Sequence, residues 1–205
     1  VVSIGGGAFR NNSTLESIIL PETVTGIYKG AFEGTTSLKT VNLPASLIIL
    51  DADAFRESSA ATVQLSGNSS LKTIGSHAFD GTTNLTSFTV PSGVKIISDD
   101  AFYNSGVNQI TFASQSSLEE IGKSAFCKSA VADMTLPNNL QRIDDYAFYE
   151  AKKLKSVHFG TGQALTLCAN AFYGSDLENV TIPSNLESIE ELCFASCNSL
   201  TSISV

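Results

Sequence analysis

Charge is scarce in this chain: Asp, Glu, Lys and Arg make up 16% of its 205 residues, against roughly 25% in an average soluble domain. Basic residues are the scarcer kind, 12 against 20 acidic, for a formal net charge of −8. A chain of that sign has no electrostatic footprint for phosphate backbones or anionic membranes, so nucleic acid is excluded as a partner class. No apolar run approaches the roughly 20 residues of a membrane-spanning helix, which excludes membrane insertion in this segment. Histidine is limited to His77 and His158. Nucleophilic catalysis needs a nucleophile, a base and an orienting acid brought together. Nothing in the sequence assembles such a set, so no catalytic residue and no cofactor is expected, and the two imidazoles read as surface groups. Cysteine is limited to Cys127, Cys168, Cys193 and Cys197. The last two have C-x3-C spacing, but no second pair completes a zinc site, so no metal ligand is assigned. With 42% apolar residues the chain needs no disulfide framework, which leaves a single isolated bridge and the redox compartment open.

Against these absences stands an internal repeat, the feature to seek before any other. Its marker is Ala-Phe, at Ala8-Phe9, Ala31-Phe32, Ala54-Phe55, Ala78-Phe79, Ala101-Phe102, Ala125-Phe126, Ala147-Phe148 and Ala171-Phe172, with Cys193-Phe194 as a ninth copy. Successive Phe residues lie 22 to 24 positions apart. An aliphatic residue stands four places before each Ala (Ile4, Ile27, Leu50, Ile74, Ile97, Ile121, Ile143, Leu167, Ile189). An apolar residue also stands seven places before it, from Val1 and Val24 through Ala164 and Leu186. Five or six residues after each Phe comes an L-x-x-V-x-L segment, as in Leu38/Val41/Leu43 and Leu154/Val157/Phe159. Its period of two and its β-branched residues predict a short strand.

Special residues obey the same frame. All five prolines (Pro21, Pro44, Pro91, Pro137, Pro183) fall just after the predicted strand. There a fixed φ and a missing N–H end pairing at little cost. The third, fifth and seventh repeats lack Pro and carry longer connectors, Ser66–Ser70, Ala113–Ser117 and Gly160–Gln163. This exchange of a short rigid turn for a longer flexible one explains most of the variation in period. All 12 Phe residues fall on predicted core positions.

One such unit cannot bury its own apolar face, whereas stacked neighbours can. The expected fold is therefore an α/β-type repeat solenoid: about nine coils of 22–24 residues, a parallel β-sheet on one face, and little regular helix. Residues 1–205 read as a single solenoid domain without a linker, with the Phe residues stacked as a spine. Strands spaced roughly 4.8 Å apart make nine coils on the order of 40 Å long. The chain opens at Val1 inside a repeat and closes on a strand, so a fragment lacking both caps is expected.

The unit L-x-x-I-x-x-x-A-F-x-x-x-x-x-L-x-x-V-x-L-P resembles the BspA-like, or treponemal, class of leucine-rich repeats, and the resemblance covers essentially the whole chain. It implies a surface-exposed or secreted protein, of the kind found in host-associated bacteria and some protozoa. It further implies roles in adhesion, matrix-protein binding and host interaction. The class has no shared catalytic motif to carry over. Cys193 in the Ala position departs from the pattern and is expected as a small core residue.

Two surfaces are candidates for binding a protein or glycan, such as a host extracellular-matrix component. Outward strand positions alternate with buried ones and form two rows. One runs Ser17, Thr40, Thr62, Ser87, Gln109, Asp133, Ser156, Asn179, Ser202, and the other Ile19, Asn42, Gln64, Thr89, Thr111, Thr135, His158, Thr181, Ser204. The face is almost uncharged and could dock a ligand through many modest hydrogen bonds, with Thr89, Thr111, Thr135, His158 and Thr181 as candidate contacts. It lacks the aromatic and Arg anchors of strong interfaces, and Thr is also simply a good strand former. The position after Phe runs Arg10, Glu33, Arg56, Asp80, then Tyr103, Cys127, Tyr149, Tyr173. Its first half predicts a ladder of surface ion pairs, and its second half an aromatic stripe with Tyr103, Tyr149 and Tyr173 as candidate contacts. The acid pairs Asp51/Asp53, Asp99/Asp100 and Asp144/Asp145 recur in alternate coils, about 10 Å apart. That is too far for one calcium ion to bridge, and they read as solvated turns. Sequons at Asn11, Asn12, Asn68, Asn84 and Asn179 matter only in a eukaryotic secretory pathway.

Overall fold

A computed structural model describes residues 1–65 and 69–204. Most of the third connector and the sequon at Asn68 fall outside these residues. The chain winds into nine coils, numbered here by their Ala-Phe copies. The residues leading to each conserved aliphatic form short strands, from Ser3–Ile4 in coil one to Leu186–Ile189 in coil nine, and all nine pair in parallel as one sheet. The residues after each Phe form a second parallel array, from Ser17–Ile19 to Ser202–Ser204. The expected sheet is this second array. The first was not anticipated, because most of its strands are only two residues long and show no periodicity. There is no helix among the described residues.

The Ala-Phe pair sits in the tightest part of each coil. The residue before Ala and the second residue after Phe are left-handed in every coil, with φ between 49° and 68°. Gly fills five of these positions, among them Gly30 and Gly34. Elsewhere a side chain accepts the strain, as at Glu57, Lys128 and Leu192. Between the two, each Phe N–H of coils one to seven donates to the carbonyl of the next coil's Ala, for example Phe32 to Ala54 at 2.8 Å and Phe102 to Ala125 at 2.7 Å, and Phe172 donates to Cys193 at 2.9 Å. The Ala side chains of coils two to eight are fully buried, so Ala is selected by lack of room. Left-handed geometry costs an L-residue about 1–2 kcal/mol, and Gly returns part of that gain through unfolded-state entropy. Glu57→Gly, at an exposed side chain, is therefore expected to raise stability by about 0.5–1 kcal/mol, read from the midpoint of urea unfolding.

The spine is continuous. Phe9, Phe32, Phe55, Phe79, Phe102, Phe126, Phe148, Phe172 and Phe194 stack with centroids 5.0–5.6 Å apart and planes within 15° of parallel. Cys193 is buried in the Ala slot. One assignment is corrected: Ala164 is exposed and Leu165 takes its inward place, because a bulge between Leu165 and Thr166 shifts the register against coil nine's neighbouring strand. A column that the repeat pattern did not announce lies three residues after Phe, where Thr35, Ser58, Thr82, Ser105, Ser129 and Ser175 are buried. Thr35 and Thr82 donate to the carbonyls of Phe32 and Phe79 at 2.7 and 2.6 Å.

Proline governs how well the second array closes. Strands of a Pro-bearing coil pair with the next coil over three or four residues, as Thr40–Leu43 does with Thr62–Leu65 and Ser87–Val90 with Gln109–Phe112. Among the described residues, the strand of Pro-less coil three does not pair with coil four, which splits the array into three and six strands. Coil five pairs with coil six at Gln109–Asp133 alone, and coil seven with coil eight at two positions. Each of these coils carries the longer connector, so its strand end is carried away from the next coil.

Candidate recognition surfaces

The strand face presents both predicted rows to solvent. Thr89, Thr111, Thr135, His158 and Thr181 are all exposed. Their hydroxyls are partly used within the face: Thr89 and Thr111 bond at 2.9 Å, and Ser204 donates to Thr181 at 3.1 Å. Ser156 and Ser202 donate to Asp133 and Asn179, each at 2.6 Å.

The face is not flat. Where coil five parts from coil six, a cleft of about 1030 Å³ opens, bringing Thr111 and Thr135 to its two walls. Gln109–Asp133 pairing closes one end. At the other, Asn139 Nδ2 donates to the Ser116 carbonyl at 2.6 Å. The walls are braced outward, Thr111 to Thr89 of coil four and Asp133 to Ser156 of coil seven. The floor is apolar, from Ile110, Phe112, Leu136 and Pro137, and the rim carries the amides of Asn108, Gln109, Gln115, Asn138 and Asn139. Asp133 is the one charged lining residue. Sequence reading picked out Thr111 and Thr135 but missed the cleft; its signal was the Pro-less connector after coil five. Thr89, His158 and Thr181 lie on the same face outside it.

On the turn edge, Tyr149 and Tyr173 stack at 5.2 Å with planes 8° apart, and Tyr146 meets Tyr149 edge-on at 5.6 Å. Lys123 Nζ sits 6.0 Å from the Tyr146 ring centre. Tyr103 is separated from this group by Cys127, which is buried, so the stripe is an aromatic cluster plus one outlying Tyr. His77 belongs to this edge and His158 to the strand face.

The expected ion ladder occurs as separate pairs. Arg10 meets Glu33 at 2.7 Å, and Arg56 meets Asp80 at 3.2 Å. Lys29 approaches Asp53 at 3.8 Å, and His77 lies between Asp80 and Asp100 at 3.2 and 3.7 Å. Surface pairs of this kind contribute under about 1 kcal/mol each. Burial pushes the carboxyls of Asp80 and Asp100 above their ordinary value, against the opposing pull of His77. A raised folded value means that the folded state holds the proton more tightly. The resulting stabilisation is complete below the ordinary carboxylate value of 3.8 and fades as pH rises through the folded value. Asp100→Asn is therefore expected to stabilise at neutral pH by under about 1 kcal/mol. The gain should vanish at about pH 3, when urea midpoints are compared across the range; an unchanged gain there would refute the linkage.

The acid pairs cap turns. Asp51 and Asp144 accept the N–H of the following residue, and Asp99 accepts that of Lys123. Asp144, Asp145 and Cys168 bring ligand atoms within 4.8 Å of one another. Arg142 already bonds Asp144 at 3.1 Å, and burial pushes the Cys168 thiol up to about 11, so the group behaves as an ion pair over a protonated thiol. Burial likewise lifts Cys127 to about 11 and Cys193 to about 12. All four cysteines are free and buried, and low thiolate content makes these three poor nucleophiles at neutral pH. No helix among the described residues is long and apolar enough to cross a membrane.

Comparison with known proteins places this geometry. A family model described as BspA type leucine rich repeat region matches residues 2–131 and 119–205, in six copies. No curated protein sequence matches the chain. Several solved structures share the fold. The pneumococcal vaccine antigen PcpA is 23% identical with a TM-score of 0.67, over 89% of this chain and 56% of that one. A leucine rich cell surface protein from Faecalibacterium prausnitzii A2-165 is 22% identical with a TM-score of 0.59, over 92% of this chain and 47% of that one. The leucine rich repeat protein TpLRR of T. pallidum is 24% identical with a TM-score of 0.52, over 92% and 69%. The chain thus spans about half the length of PcpA and of the Faecalibacterium protein. At these identities the likeness is one of fold.

Proposed function

This chain belongs to the BspA-type leucine-rich repeat family, and we propose that it is a non-catalytic recognition module of a cell-surface or secreted protein. Its partner is a protein or glycan, such as a host extracellular-matrix component, bound on the strand face. The observation that carries this reading is the cleft between coils five and six, a polar-rimmed, apolar-floored opening in the exposed strand face. Such concave sites, apolar below with a few convergent polar groups, are where ligands bind. Family membership supports a surface location, and two structures sharing the fold are themselves a vaccine antigen and a cell surface protein.

A second reading, a spacer that presents another domain and binds nothing itself, draws support from the hydroxyl ladders. Thr89 with Thr111, and Ser204 with Thr181, already satisfy one another. A binding screen against immobilised matrix proteins and glycans separates the two. The wild-type chain runs beside a Thr111→Lys/Thr135→Lys variant and a Tyr149→Ala/Tyr173→Ala variant. A ligand lost only in the Lys pair supports recognition on the strand face, and one lost only in the Ala pair moves the site to the turn edge. Absence of any ligand, with all three proteins folded, favours the spacer.

A further inference from the structure

The cleft exposes main chain as well as side chains. On the coil-five strand the N–H groups of Gln109 and Ala113 donate to Thr86 and Val90 of coil four. Alternate residues of a parallel strand serve opposite edges, so Ile110 and Phe112 carry the backbone groups that face coil six. On the coil-six strand the N–H of Leu136 donates to His158 of coil seven, so Thr135 carries the groups that face coil five. Register between the two strands ends at Gln109–Asp133. Beyond that pair, the edges at Phe112 and Thr135 look into the cleft without a register partner across it; among the described residues only coils three and four are likewise unladdered in this array. Unpaired strand edges are templates for an incoming extended chain.

The pattern has a cause in the sequence. In place of the proline of its neighbours coil five has Ala113, and its connector adds a left-handed Gln115 at φ 58°. Coil seven, also without Pro, is sealed: Asn185 Nδ2 donates to the Gly160 carbonyl at 3.2 Å and also reaches that of Gln163. Coil five is stapled by Asn139 only at its far end, and the gap stays open between.

We propose that the cleft between coils five and six takes an extended polypeptide segment of the binding partner, by main-chain hydrogen bonding to the edges at Phe112 and Thr135. The inference rests on the recognition reading above and names the ligand class for that site. Small apolar side chains of the segment pack on Ile110, Phe112, Leu136 and Pro137. Asp133 is the one charge in the lining, so the segment carries a basic residue opposite it and no acidic residue.

The test starts from a phage-displayed random heptapeptide library panned on the wild-type chain. One enriched peptide is then synthesised and titrated against four proteins: wild type, Thr111→Lys/Thr135→Lys, Tyr149→Ala/Tyr173→Ala, and a closed variant combining Ala113→Pro with removal of Gln115. The closed variant restores the Pro-bearing coil length. Should it not fold, the Lys pair alone decides, since both its sites are exposed. The expected result is a basic, acid-free consensus bound equally by wild type and the Tyr variant. Binding is weakened at least about tenfold, or roughly 1.4 kcal/mol, by the Lys pair and the closed variant. Hydrogen exchange of the Phe112 and Thr135 amides slows on binding. The inference is overturned if no peptide is enriched on wild type, if binding is lost in the Tyr variant alone, or if a neutral oligosaccharide displaces the peptide from the cleft. A ligand in the matrix and glycan screen with no enriched peptide would sink the peptide cleft while leaving the recognition reading standing.

Discussion

Phe102→Ala is expected to destabilise the protein by about 3–5 kcal/mol, the range for truncating a fully buried Phe. The ring is completely buried. It stacks on Phe79 and on Phe126 with centroids 5.1 Å away in each case, and Phe88 meets it edge-on at 5.4 Å. Removing it breaks the spine in two places and leaves a cavity that a stacked array cannot collapse. The coils above and below are held at their spacing by backbone ladders such as Phe102 N–H to the Ala125 carbonyl. In a solenoid each coil contacts only its neighbours. Loss should therefore concentrate in coils four to six and appear as faster hydrogen exchange there before global unfolding. Equilibrium urea unfolding with the variant's midpoint unchanged would refute the spine as the main stabilising element.

Gly106→Ala is expected to cost about 1–3 kcal/mol, the usual range for overpacking, although it adds one methyl group and leaves the hydrophobic pattern intact. A Cβ at residue 106 would overlap the carbonyl oxygen of Thr83 and stand 2.7 Å from its carbonyl carbon. The obstacle is backbone of the preceding coil, which cannot swing aside as a side chain could. The Gly106 N–H also donates to the Thr82 carbonyl at 3.1 Å, so relief requires stretching the bond that joins coils four and five. Gly5→Ala is the control: nothing lies within 4 Å of a Cβ at that position, and its effect should stay within about 0.5 kcal/mol. Equal thermal shifts for the two variants would show that close coil approach is not what selects glycine at position 106.

By itself the sequence determined the number of coils, the Phe spine and the outward rows of the strand face. Each of these is a consequence of spacing: Ala-Phe recurs every 22 to 24 residues, and a side chain's face follows from its place in the period. Thr89, Thr111, Thr135, His158 and Thr181 were placed on one exposed face for that reason, and Cys193 in the core. The nine-stranded sheet escaped because strands such as Ile49–Leu50 are too short to carry an alternation. Leu165 in place of Ala164 escaped because a bulge is a local slip in register. Only the tertiary structure decided where the strand face opens. Pro-less connectors were visible in coils three, five and seven, but whether a longer connector parts two coils depends on what staples it. Asn185 closes the seventh while Asn139 pins the fifth only at one end. That outcome turns on contacts between residues more than 20 positions apart, which stacking brings together and no local pattern records.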